Sequence, residues 1–288
     1  MGFQSRRISP SSGAEMTGID LREPLDNNQF AAIRQAWNDA DGLLVIRDQN
    51  ISPEQHIAFS RRFGVLQRGE VSQGSLLSQY YLPRHPEIYR VSNKKKDGVP
   101  QGREDAGTYW HSDGSWKPAP PMASLLLARE IPPYGGDTMF ADLYRAYETL
   151  SDRMKDILTP MRAVHSLAKA QETTSYGKDL VGQSNAVVDR YASHPIIRTH
   201  PETGRKSLFV NRGFTDNIEG LAPAESDAFL EFLFTHSSRP EILYRHQWRL
   251  HDLVIWDNRC TMHYAVADYK QAGDRYMHRT TVRGDAPF

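Results

Sequence analysis

Apolar residues recur along this chain with two different periods, and the change of period divides it. Between residues 27 and 40, Phe30, Ile33 and Trp37 fall on one face at helical spacing, and the run LLVIRD (43–48) predicts a buried strand. Ser52-Pro53-Glu54-Gln55 combines an N-cap Ser, a Pro at the first helical position and a Gln placed for a capping box. Gly64 stops that helix, which carries Ile57, Phe59 and Phe63 inward. From residue 87 the pattern becomes mostly β. EIYRVSN (87–93), ASLLLARE (123–130), PIIRTH (195–200), SLFVN (207–211), EILYRHQW (241–248), DLVIW (252–256) and RYMHRTTV (275–282) are short branched or aromatic runs bounded by Gly, Pro, Asn or Asp. PETG (201–204) predicts a hairpin turn between two of them. Helical patterns interrupt the series at about 141–162 and 223–236, and the polar stretches 66–84 and 166–194 are candidate lids. The fold class expected is α+β, mainly β, with an antiparallel jelly-roll core decorated by helices. No internal repeat or linker breaks the pattern, so one domain over 1–288 is the simplest organisation.

Composition narrows the function classes. Lys plus Arg number 35 and Asp plus Glu number 35, so no net field favours nucleic acid or an anionic membrane, and charge recognition must be local. Apolar runs such as 125–128 are too short to cross a bilayer. The start MGFQSRRISP has neither an apolar signal core nor a myristoylation motif, and a cytoplasmic protein is expected. Cys260 is the single cysteine, which excludes an intrachain disulfide and a multi-thiolate zinc site. It is read as a packing residue, and any metal must be held by nitrogen and oxygen.

The segment TYWHSDGSW (108–116) supplies such atoms. On an extended strand His111 and Asp113 present an imidazole and a carboxylate on one face, which Tyr109 shares. His263, in WDNRCTMHYA (256–265) just after a strand and turn, is the candidate third ligand. Two His and one carboxylate on one face of an octahedral metal leave three positions open, as in non-haem iron(II) oxygenases. A 2-oxo acid fills two by chelation and dioxygen the third. Eleven His are present and a lone H-x-D arises easily by chance; His85, His165, His194, His200, His246 and His278 are read as packing or turn residues. YGGDT (134–138) puts two glycines before Asp137 and Thr138, suiting a tight turn into a site. Arg275 and Arg279, four apart in RYMHR, would share a strand face with Cα atoms roughly 13 Å apart and serve two different anions. A zinc-dependent hydrolase on the same triad and a non-catalytic anion-binding barrel are the competing classes.

Together TGIDLREPL (17–25), EQHIAFSRRFG (54–64), WHSDGSW (110–116), PPYGGDTMFAD (132–142), HPETGRKSLFVN (200–211), DLVIWDNRCTMHYA (252–265) and RYMHRTTV (275–282) form an ordered set. It resembles the taurine dioxygenase and 2,4-dichlorophenoxyacetate dioxygenase family of iron(II)/2-oxoglutarate-dependent enzymes. The resemblance implies a double-stranded β-helix, iron on His111, Asp113 and His263, the distal carboxylate of 2-oxoglutarate on Thr138 and Arg275, and the anionic group of the prime substrate on Arg279. It also implies a homo-oligomer. Asp113 implies a hydroxylase, because halogenating relatives have a small residue there. Gly107 stands where the taurine enzyme has an Asn, and no His occurs between 65 and 84, which argues against taurine itself; YRVSNKKKDG (89–98) looks more like the aryloxyacetate branch. The expected substrate is a small organic acid, an aryloxyalkanoate-like carboxylate or a sulfonate or sulfate ester. Cleavage follows where the hydroxylated carbon bears a leaving group.

Overall fold

Leu43–Ile46 and Leu253–Asp257 are buried at every position, and apolar at all but Asp257, because both their faces are covered. They pair antiparallel, and Leu253–Asp257 pairs on its other edge with Ala123–Glu130, setting Val254 between Val45 and Leu126. The computed structural model describes residues 3–69, 78–104, 106–173 and 191–288. In it these strands are the middle of an eight-stranded sheet ordered Gln4–Arg7, Ala14–Thr17, Leu43–Ile46, Leu253–Asp257, Ala123–Glu130, Tyr276–Val282, His85–Ser92 and Tyr81–Leu82. A second sheet of Leu243–His246, Thr138–Asp142 and Thr261–Ala265 is antiparallel throughout.

Alternation along the strands decides what packs on each face. Leu43, Val45, Leu126, Val254 and Trp256 point toward the small sheet, where Phe140 joins their cluster. Leu44, Ile46, Leu125, Leu127 and Ile255 point the other way, onto Ile33 and Trp37 of helix Asn27–Asp39 and Ile57 and Phe59 of helix Pro53–Arg61. The outer face of the small sheet, through Ala141 and Met262, meets Leu230 and Leu233 of helix Pro223–Ser237. Helices therefore cover two facing sheets, and each fully buried aliphatic chain contributes on the order of 1.5–3 kcal/mol.

The two N-terminal helices form as expected. Asp26 with Gln29 and Ser52 with Gln55 make capping boxes, and Pro53 opens the second helix. The helical pattern over 141–162 is not one helix. Thr138–Asp142 is a strand, and helices Leu143–Glu148 and Asp152–Leu158 follow before strand Arg162–Ser166. Asp142 and Ser151 each accept a backbone N–H and so start a helix of their own, a punctuation that apolar spacing does not report. PIIRTH divides at Ile196 between strands Tyr191–Pro195 and Ile197–Thr199, and SLFVN contributes only its first two residues, to strand Lys206–Leu208. The hairpin around 201–204 forms, with Ile197 opposite Leu208. Of the candidate lids, 70–77 and 174–190 lie outside the described residues, while 167–173 is helical. Among the described residues no helix is long and apolar enough to cross a membrane.

Four buried histidines give a pH dependence. Burial above all pushes His56, His165 and His278 down to about 3 and His194 to about 4. The unfolded chain binds these protons near pH 6.5 and the native protein does not, so stability falls as pH falls from 6.5 toward 4. At pH 5 unfolding should take up about four protons through these residues, a slope of roughly 1.4 kcal/mol per pH unit for each. Urea unfolding between pH 7 and 4.5 measures it, and a flat profile would contradict the neutral burial of these rings.

Candidate metal centre

His111 and His263 oppose one another directly. His111 N–H donates to His263 O at 3.1 Å, His263 N–H returns to His111 O at 2.8 Å, and the ring centroids lie 4.1 Å apart. His263 belongs to strand Thr261–Ala265, but His111 makes only this isolated bridge. The extended strand expected across 108–116 is thus absent. The chain turns after Ser112, whose carbonyl accepts from Ser115 N at 3.3 Å, and the Asp113 N–H donates to Asn258 Oδ1 at 3.2 Å. The turn still delivers Asp113 to the imidazoles: its Oδ1 lies 3.8 Å from His111 Nε2, and one donor atom from each of the three residues falls within 4.8 Å of the others.

The protonation states favour a cation. His111 Nδ1 donates to Tyr109 O at 2.8 Å, which leaves the Nε2 lone pair facing Asp113. His263 Nδ1 is buried with no hydrogen-bond partner among the described residues. Burial pushes His111 down, and burial with the nearby His111 pushes His263 well down, so both rings are neutral. Burial raises the Asp113 carboxyl, but the Arg279 guanidinium and a Ser124 hydrogen bond favour its ionised form, and it is held well below the carboxylate range. Ser124 Oγ donates to Asp113 Oδ2 at 2.6 Å, and Arg279 Nη1 donates to Oδ1 at 3.0 Å. Asn258 ties this carboxylate to the large sheet, donating to Ser124 Oγ at 3.3 Å and accepting from Trp256 Nε1 at 3.1 Å. Two neutral imidazoles and one ionised carboxylate with an orphaned ring nitrogen fit a divalent first-row metal with open positions.

A buried cation lies beyond the triad. Thr138 opens the strand in which Phe140 sits opposite His263, and two residues of strand separate them, roughly 7 Å. Gly135 and Gly136 precede it at φ +74° and +71°; a Cβ on Gly136 would come within 3.1 Å of Arg275 Cδ, and Gly136 O accepts from Arg275 Nε at 3.1 Å. Arg275 is buried, and burial lowers its pKa. It forms no ion pair with a carboxylate among the described residues, because Arg245 engages the neighbouring Asp137 at 2.7 Å and Asp268 at 3.5 Å. Arg275 and Arg279 do not share one regular strand: Arg275 precedes Tyr276–Val282, whose register against Ala123–Glu130 shifts between Tyr276 and Met277.

Tyr109 lies beside His111, though not on a shared strand face. Its ring is 4.8 Å from that of His111 and 5.9 Å from that of Phe214, and Trp116, Leu167 and Ala170 join Phe214 in an apolar wall. Gly107, at φ +79°, leaves the space above His111 open, since a Cβ there would be 2.8 Å from the imidazole Cε1. Ser124, Asn258 and Phe214 were not legible as site residues, because their types are ordinary in cores and turns and only the pairing of distant segments brings them here. A second buried set, His200, Asp257 and Cys260, meets the same distance test. Its donors are committed elsewhere: His200 Nε2 donates to Asp257 at 3.0 Å, its Nδ1 accepts from Thr203 N at 3.1 Å, and Arg259 covers both Asp257 oxygens. This set locks a turn, and burial raises the Cys260 thiol well above its ordinary value, consistent with packing.

Comparison with known proteins agrees with this geometry. The family model described as taurine catabolism dioxygenase TauD, TfdA family matches residues 4–281. The alpha-ketoglutarate-dependent 2,4-dichlorophenoxyacetate dioxygenase of Cupriavidus pinatubonensis is 34% identical over 99% of each chain. A taurine dioxygenase structure from Burkholderia xenovorans superposes with a TM-score of 0.82 at 34% identity, covering 100% of this chain and 91% of that one. The structure of AAD-2 in complex with Mn(II) and N-oxalylglycine also gives 0.82 at 32% identity, covering 100% and 99%. With two neutral imidazoles, an ionised carboxylate and a buried arginine arranged on facing sheets, the chain belongs to this TauD, TfdA family of iron(II)- and 2-oxoglutarate-dependent dioxygenases.

Proposed function

We propose that the protein hydroxylates a small organic acid at a carbon close to its charged group, within a double-stranded β-helix formed by the two facing sheets. His111, Asp113 and His263 hold iron(II), Thr138 and Arg275 take the distal carboxylate of 2-oxoglutarate, and Arg279 and Tyr109 meet the prime substrate. The observation that carries the reading is Arg275, a buried guanidinium without a carboxylate partner among the described residues, packed against the Gly135-Gly136 turn that leads into the strand opposite His263. A charge so placed is costly until an anion joins it. The manganese and N-oxalylglycine named for the 32% identical structure support a divalent metal and an oxo-acid cosubstrate.

Iron(II), when bound, supplies dioxygen activation coupled to decarboxylation of 2-oxoglutarate to succinate and carbon dioxide. The chain's own residues orient and exclude water. Ser124 and Asn258 fix Asp113 so that one carboxylate oxygen faces the imidazoles. Tyr109, Trp116, Leu167 and Phe214 make an apolar, largely aromatic wall beside His111 that suits an aryl or alkyl body. An arginine fork has five donors, so the bond from Arg279 to Asp113 is compatible with a second bond to a substrate carboxylate, sulfonate or sulfate. Hydroxylation of the carbon that bears an ether oxygen or a sulfonate sulfur gives a product that collapses, the new hydroxyl becoming a carbonyl as the alcohol or sulfite leaves, and cleavage is then the observed outcome.

Screening small carboxylates, sulfonates and sulfate esters for stimulated succinate formation tests this, with uncharged analogues as controls. Acids should stimulate and neutral analogues should not, and Arg279→Ala should remove that preference. Equal stimulation by neutral compounds, or an acid preference intact in Arg279→Ala, would overturn the substrate class while leaving the iron chemistry standing.

A further inference from the structure

Trp248 ends the segment Leu243–His246 begins, and its indole reaches both groups assigned above to the distal carboxylate. Its Nε1–H donates to Thr138 Oγ1 at 3.0 Å, and the Arg275 Cζ lies 5.7 Å from its ring centroid. An indole nitrogen only donates. Thr138 is therefore the acceptor in this pair, and its own O–H must point elsewhere. Thr138 is 3% exposed, and no acceptor for that proton occurs among the described residues. A hydroxyl that already accepts a hydrogen bond is a better donor along the chain of bonds. The indole thus fixes Thr138 as a donor, and its ring supports the guanidinium beside it.

Trp248 is itself held. The His246 ring stands edge-on to it at 4.6 Å and 87°. His246 is fully buried, bonded to Asp252 Oδ2 at 3.2 Å and to Tyr244 Oη at 3.1 Å, and Asp252 also carries Arg47. In the strand register His246 lies directly opposite Thr138, so one rung of the small sheet aligns the support with the group supported.

We infer that Trp248 is a positioning residue for cosubstrate recognition: by donating to Thr138 and backing Arg275, it selects 2-oxo acids that carry a second carboxylate. This rests on Thr138 and Arg275 being the distal-carboxylate site. Phenylalanine at 248 keeps a ring beside Arg275 and removes the donor.

The test is calorimetric binding of 2-oxoglutarate and of 2-oxopentanoate, which lacks the distal carboxylate, to the Mn(II)-loaded protein and to its Trp248→Phe, Trp248→Leu and Arg275→Ala variants. Trp248→Phe should weaken 2-oxoglutarate by roughly tenfold, Trp248→Leu by more, and neither should change 2-oxopentanoate or Mn(II) binding beyond about twofold. Equal weakening of both acids, or weaker Mn(II) binding in parallel, would reduce Trp248 to general packing and overturn the inference. A full preference for 2-oxoglutarate in both Trp248 variants, with that preference lost in Arg275→Ala, would overturn it alone. A preference that survives Arg275→Ala would instead remove the site on which it rests.

Discussion

Asp113→Ala should abolish high-affinity iron binding and lower turnover by roughly a thousandfold or more, while the two sheets stay folded. The substitution removes the single anionic donor of the triad, and a metal contribution of several kcal/mol goes with it, each 1.36 kcal/mol being tenfold in rate. Little apolar packing is lost, because Asp113 faces the imidazoles and is bonded to Ser124 and Arg279 rather than to the core clusters. Arg279 does lose a partner, but its side chain keeps 22% exposure and water can replace the bond. Anaerobic metal titration with circular dichroism separates loss of the site from loss of the fold. Turnover at the parent rate in Asp113→Ala would sink the triad.

Arg275→Ala should raise the 2-oxoglutarate requirement sharply. Truncating one partner of a buried hydrogen-bonded charge pair costs about 2–5 kcal/mol, which is about thirtyfold to several thousandfold in affinity. The upper part of that range is expected, since Arg245 occupies the nearby Asp137 and Asp268 and cannot swing in without leaving them. Succinate formation against 2-oxoglutarate concentration reads the effect, and an unaltered dependence would return Arg275 to a structural role. Iron affinity without 2-oxoglutarate should hold, because Arg275 bonds to Asn93 and Gly136 and to none of the three triad residues.

The residue types of the centre were legible in the sequence and its geometry only in part. His111 and Asp113 read as neighbours on a strand, yet the chain turns between them, because a side chain 145 residues away, Asn258, draws in the Asp113 amide. The opposition of His111 to His263 is a long-range pairing that no local pattern encodes. Apolar period found the strands buried on both faces and the two capped helices. It failed at 141–162, where short polar caps at Asp142 and Ser151 override a helical spacing of apolar residues. Short strands such as Gln4–Arg7, exposed at all four positions, carry no apolar signal at all and exist because Ala14–Thr17 offers an edge.

The paired backbones of His111 and His263 make the reactivity of this protein a matter of strand alignment. A slip of one residue along that rung would turn one imidazole to the opposite face of the sheet and disassemble the triad without altering its composition. A single insertion next to either histidine therefore changes what the molecule can bind, although every ligand type is still present in the chain.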